Sequence, residues 1–120
     1  MPYARLLLLL LPILFTGCGF GSVDDTDGSA PAIQITQPST ATVQGVVDFT
    51  ALVVDNVGVA VVEFYADDLQ VGTDFTDPFT TRWNTLNSAD GTVILRVVAR
   101  DFSGNQSFTS KNVTVANSPN

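Results

Sequence analysis

The chain has 120 residues, enough for one small domain, and carries twelve acidic side chains against five Lys and Arg, a formal net charge of −7. That balance excludes a nucleic-acid binder, which needs clustered cations to displace counterions, and excludes electrostatic adhesion to anionic lipid. The absence of histidine removes the commonest general base and transition-metal ligand, and a single cysteine leaves no intrachain disulfide, so the core alone must hold the fold.

Residues 1–17 read as a targeting segment. Arg5 and the amino terminus form a positive n-region, and Leu6 to Phe15 is an apolar run too short to span a bilayer. The stretch Phe15-Thr16-Gly17-Cys18 resembles the lipobox of bacterial lipoproteins, departing from it at Phe15, where that pattern prefers Leu. The resemblance implies cleavage before Cys18 and a diacylglyceryl group on that cysteine. Loss of Arg5 with the signal then leaves four basic and twelve acidic side chains, a balance of −8. Attachment to the membrane would come from acyl chains, at about 0.8 kcal/mol per buried methylene. Localisation to the bacterial cell envelope follows. Gly19 is not the Asp associated with inner-membrane retention, which favours the outer membrane in a Gram-negative host.

Residues 18–30 are the lipidated cysteine and an acidic linker of small polar residues. As a flexible coil it spans roughly 20 Å. From Pro31 to residue 116 strand-like runs alternate with turn signals at the spacing of an all-β sandwich. Ala32 to Thr36 is the first run. Val46 to Val54 is the second, with Val47, Phe49, Ala51 and Val53 on one face. Val59 to Ala66 is the third, with Val62, Phe64 and Ala66 inward and Glu63 and Tyr65 outward. Gln70 to Phe75, Phe79 to Trp83, Thr92 to Arg100 and Phe108 to Val115 complete a set of seven. No window sustains a helical period. Residues 117–120 are a tail. Two turns share an Asp-x-x-Gly pattern, Asp55 to Gly58 and Asp101 to Gly104. In each, the Asp can accept from the turn's own amides and the Gly can supply a positive φ.

Several pieces in order resemble the bacterial immunoglobulin-like (Big) domain of secreted and surface proteins. They include Ile35-Thr36-Gln37-Pro38, Asp55-Asn56-Val57-Gly58-Val59, Val62-Glu63-Phe64-Tyr65-Ala66-Asp67, Asp77-Pro78-Phe79, Trp83-Asn84-Thr85, Asp90-Gly91-Thr92 and Val98-Ala99-Arg100-Asp101. The resemblance covers about residues 31–116. It implies a seven-stranded immunoglobulin-like antiparallel β-sandwich used as a spacer or adhesion module, usually without catalysis. The chain is read as a monomer, and the sequence does not identify which protein or glycan it contacts. Phe102 departs from the pattern, which tends to carry something small or polar there.

The candidate sites follow from this frame. Trp83 is read as a core plug between the sheets rather than a sugar platform. The carboxylates form no defensible catalytic pair, since a small sandwich offers no cleft to fix their separation. No Ser-His-Asp, Cys-His or phosphate-loop pattern is present. Asp25 and Asp27 in the linker, arriving near Asp55 and Asp101, are a candidate calcium cluster, because calcium takes six to eight oxygens. The plainer account is a solubilising linker beside two turn aspartates. Phe102 at one turn tip and Val57 at the matching place in the other form a candidate partner contact, with Tyr65 as an outward aromatic on the sheet. Carbohydrate binding is the rival function and would need a row of such exposed aromatics.

Overall fold

Alternating burial in Val46–Val54 shows why this chain makes sheets. Phe49, Ala51 and Val53 are buried, whereas Asp48, Leu52 and Val54 face solvent. A period of two can bury one face only if a second layer covers it. The computed structural model describes residues 29–118. Its strands are β1 (Ala32–Gln37), β2 (Thr42–Val43), β3 (Val46–Val54), β4 (Val59–Ala66), β5 (Leu69–Asp74), β6 (Phe79–Asn84), β7 (Gly91–Asp101) and β8 (Gln106–Val115), with a 3₁₀ turn at Thr85–Asn87. One sheet has the order β1-β3-β6 and the other β2-β8-β7-β4-β5. All pairings are antiparallel except β2 with β8. The expected all-β immunoglobulin-like sandwich is therefore present.

The strand count differs from the expected seven. Among the described residues there are eight, and the extra one is β2. After Pro38 the chain leaves the small sheet and joins the edge of the large one, where Thr42 pairs with Thr114 and Val43 with Val115. Two residues carry no readable alternation, and their partner lies far along the chain. A second correction concerns Phe75, expected at the end of the fourth strand. β5 stops at Asp74, whose carboxylate accepts from the amides of Thr76 (3.2 Å) and Thr80 (3.1 Å) and so turns the chain.

The core lies between the sheets. Phe49 of β3 meets Phe64 of β4 edge to face, with ring centroids 4.9 Å apart at 70°. Trp83, Leu95, Val62, Val93, Val97 and Val113 are fully buried around them. One side is closed by β5 pressing on β6. A Cβ on Gly72 would lie 2.2 Å from Thr81 Oγ1, so only glycine lets these edge strands approach so closely.

The chain enters at one end of the sandwich and leaves at the other. Ala32 pairs with Val54 and Val59 with Asp101, so residues 29–31, the 55–58 turn, the 75–78 loop and the 102–105 turn share one end, the linker end. Gly91 pairs with Val115 at the far end. There Asn117 Oδ1 accepts from Gly45 N (2.9 Å), and Asn117 Nδ2 donates to the buried Thr85 Oγ1 (3.1 Å). The eleven residues of β7 separate the ends by roughly 33 Å.

Trp83 is 2% exposed, as its reading as a core plug requires. Trp83→Ala is expected to lower stability by about 3–5 kcal/mol in a urea titration, through lost burial and the cavity left behind.

Candidate functional site

The two Asp-x-x-Gly turns build the linker end. Asp55 Oδ2 accepts from Val57 N (3.0 Å) and Gly58 N (3.1 Å), and Gly58 has φ +120°. Asp101 is buried. Its Oδ1 accepts from Ser103 N (2.9 Å) and Asn105 N (2.8 Å), its Oδ2 accepts from Asn105 Nδ2 (3.2 Å), and Gly104 has φ +92°. The turns also touch each other. Phe102 N donates to Gly58 O at 3.2 Å, and the Phe102 ring rests over Gly58, within 3.4 Å of where a Cβ would stand. Phe102 and Val57 are thus brought to one place, both exposed.

Tyr65 lies elsewhere. It sits on the outer face of the large sheet, about 20 Å along β4 from the turn. Its hydroxyl donates to Glu63 Oε1 (3.0 Å), and the Arg96 guanidinium lies 4.7 Å from its ring centroid. The hydrogen bond to Glu63 holds its phenol pKa above the ordinary value of 10.0.

Sequence reasoning missed two members of the linker end, Val54 and Phe75. Both are exposed, and both line a shallow crevice with Val53, Asp55, Val59 and Phe79. Phe75 was masked because it continues the alternation of Val71 and Thr73. The readable signal is its setting, Asp74-Phe75-Thr76-Asp77-Pro78, an aromatic inside a turn sequence.

Of the candidate calcium ligands, Asp25 and Asp27 fall outside the described residues, as does Cys18. The described chain does arrive beside Asp55, since Ser29, Ala30 and Ala32 line a groove with Val54, Asp55 and Asn56. Asp55 and Asp101 direct oxygens at their own turn amides. Among the described residues no three acidic, Cys or His side chains gather closely enough to hold a metal. Asp55 Oδ1 is shielded and has no hydrogen-bond partner there.

Other carboxylates organise turns. Asp67 and Asp68, at φ 50° and 68°, form the hairpin between β4 and β5. Asp67 exchanges two hydrogen bonds with Ile94, both at 2.9 Å, one through its amide and one through Oδ1. Asp90 accepts from the amides of Asn117 (3.0 Å) and Ser118 (2.9 Å), and these bonds hold its pKa below the usual carboxylate value.

The sequence matches the family described as Bacterial Ig domain over residues 31–97. Among solved structures, the fibronectin(III)-like modules of Clostridium thermocellum CbhA superpose with a TM-score of 0.58 at 22% identity, covering 72% of this chain and 96% of that one. The endo-beta-1,4-mannanase from Thermotoga petrophila superposes with a TM-score of 0.62 at 16% identity, covering 77% of this chain and 21% of the enzyme. Identities this low establish likeness of fold alone. No curated protein sequence matches the chain.

Two outcomes follow from the turn carboxylates. Asp101→Ala removes a buried carboxylate together with its bonds to the Ser103 and Asn105 amides and is expected to cost about 1–3 kcal/mol by thermal or urea unfolding. The Asp90 tether is linked to pH. A depressed folded-state pKa means its contribution is present above the unfolded value and is lost as pH falls through the folded one. Amide resonances of Asn117 and Ser118 should titrate together in NMR, with a midpoint below that of a free aspartate, and should stay flat in Asp90→Ala.

Proposed function

The chain belongs to the bacterial Ig domain family, and we propose that it is a non-catalytic, lipid-anchored module of the cell envelope, acting in adhesion or as a scaffold. The observation that carries the non-catalytic reading is the use of the carboxylates. Asp55, Asp67, Asp74, Asp90 and Asp101 each accept backbone amides, and Asp48, Asp68 and Glu63 lie against Arg82, Arg96 and Tyr65, so eight of the nine carboxylates among the described residues are engaged in turns or side-chain pairs. The end-to-end path of the chain supports a spacer. Whatever sits at the far end is held roughly 33 Å beyond the linker. A carbohydrate-binding role draws no support from Trp83, which is buried, or from Tyr65, whose ring is covered by Arg96.

Anchoring rests on the lipobox-like run ending at Cys18, and it is supported by the entry of the described chain, from Ser29, at one end of the sandwich. Acyl chains on Cys18 would hold the protein on a membrane that its acidic surface does not attract. The parent protein is expected in the detergent phase of a two-phase extraction. Cys18→Ser is expected either as an unprocessed precursor or as a soluble form in the aqueous phase. A processed Cys18→Ser protein that still enters the detergent phase would end the lipid-anchor reading.

A further inference from the structure

The linker end of the sandwich carries an apolar surface that no contact among the described residues covers. Phe102 is 72% exposed, Phe75 68%, Val54 57% and Val57 46%. Single exposed apolar side chains are ordinary. Here four of them come from three separate segments, the β3 end with the 55–58 turn, the 75–78 loop and the 102–105 turn. The Phe102 ring rests on Gly58, next to Val57, while Phe75 and Val54 share the crevice beside Asp55.

We propose that this end docks on the lipid bilayer, with Phe75, Phe102, Val54 and Val57 seated at the boundary between headgroups and acyl chains. The proposal rests on the lipid-anchor reading above. The tether supplies the first argument. Ser29 lines a groove at this same end, and the residues between it and Cys18 reach roughly 20 Å as a coil. A bilayer holding Cys18 would therefore always lie within reach of these side chains, whereas a soluble partner would have to enter that narrow gap.

Charge supplies the second argument and selects the lipid. The apolar group is rimmed by the exposed Asp77, whereas the Asp55 carboxylate is shielded and bound to its own turn amides. A carboxylate at the Asp77 position matches the ammonium groups of zwitterionic headgroups and opposes anionic ones. Phenylalanine suits the boundary layer, where apolar side chains are buried 5–10 Å deep in typical interfacial insertions. Free in solution the patch is too small to hold a membrane by itself. Tethered, its encounter with lipid is intramolecular, and weak contacts become populated.

The test uses the full lipidated protein, reconstituted in phosphatidylethanolamine–phosphatidylcholine vesicles. Trp83 is buried and serves as an internal reference. Phe102→Trp and Phe75→Trp place an indole at the linker end, and Leu86→Trp places one at the exposed far end. With brominated lipid, fluorescence added at positions 102 and 75 should fall at least about twofold, while that at position 86 should not change. Replacing a third of the zwitterionic lipid by phosphatidylglycerol should weaken the quenching at both linker-end positions. Protein that floats with the vesicles and shows no quenching at 102 and 75 overturns the docking and leaves the anchor standing. Protein that does not float removes the anchor, and the docking with it. A blue shift that arises without vesicles and grows with protein concentration assigns the surface to a second copy and also overturns the proposal.

Discussion

The domain depends on one contact layer, the apolar seam between the two sheets. Phe49 and Phe64 meet across it edge to face, and Trp83 fills the space beside them. The rest of the molecule has little else to rely on. One cysteine permits no internal disulfide. The ion pairs Asp48–Arg82 and Asp68–Arg96 are largely solvated, a setting in which such pairs contribute about 0–1 kcal/mol. An aromatic pair adds about 0.5–1.5 kcal/mol beyond the burial of its area. Stability therefore tracks how well the seam is filled, which is why so many of the fully enclosed side chains are Val, Leu, Phe or Trp.

Closing the seam at its sides and ends uses a different chemistry. Gly72 removes a side chain so that β5 can press on β6, and no other residue would fit against Thr81. At the ends, carboxylates replace the missing strand partners. Asp101 is the strongest case, a buried carboxylate directed at amides of its own turn. Asp90 and Asn117 perform the same task at the far end by binding the outgoing chain. Acidity that reads in composition as a solubilising surplus is thus partly structural. These carboxylates are placed by backbone donors rather than by one another, which argues against shared acid–base work.

The same arrangement gives the two ends different characters. The far end is tied by hydrogen bonds among Thr85, Gly45 and Asn117, and its exposed apolar side chains, Leu69 and Leu86 among them, are aliphatic. The linker end leaves Phe75, Phe102, Val54 and Val57 uncovered. Turn geometry creates that difference. Once Asp101 has been drawn inward to hold its loop, the next residue is thrown out over Gly58, and Phe102 has no core to enter.

The sequence by itself determined the sandwich, because a period of two in β3, β4 and β7 can bury Phe49, Phe64 and Leu95 only against a facing sheet. It also determined both Asp-x-x-Gly turns, whose hydrogen bonds are local and need no distant partner. It put Phe102 and Val57 at their turn tips for the same reason, while the pairing of Val59 with Asp101 brought the two tips together. Only the tertiary structure decided β2, since a two-residue strand exists by virtue of a partner on β8. Only the structure released Phe75 from the strand that its alternation suggested, because Asp74 reaches forward to the amide of Thr80. It likewise separated Tyr65 from Phe102 by most of the length of β4. Local patterns fix which face a residue occupies. Which end it occupies, and what lies beside it there, depends on pairings between segments far apart in the chain.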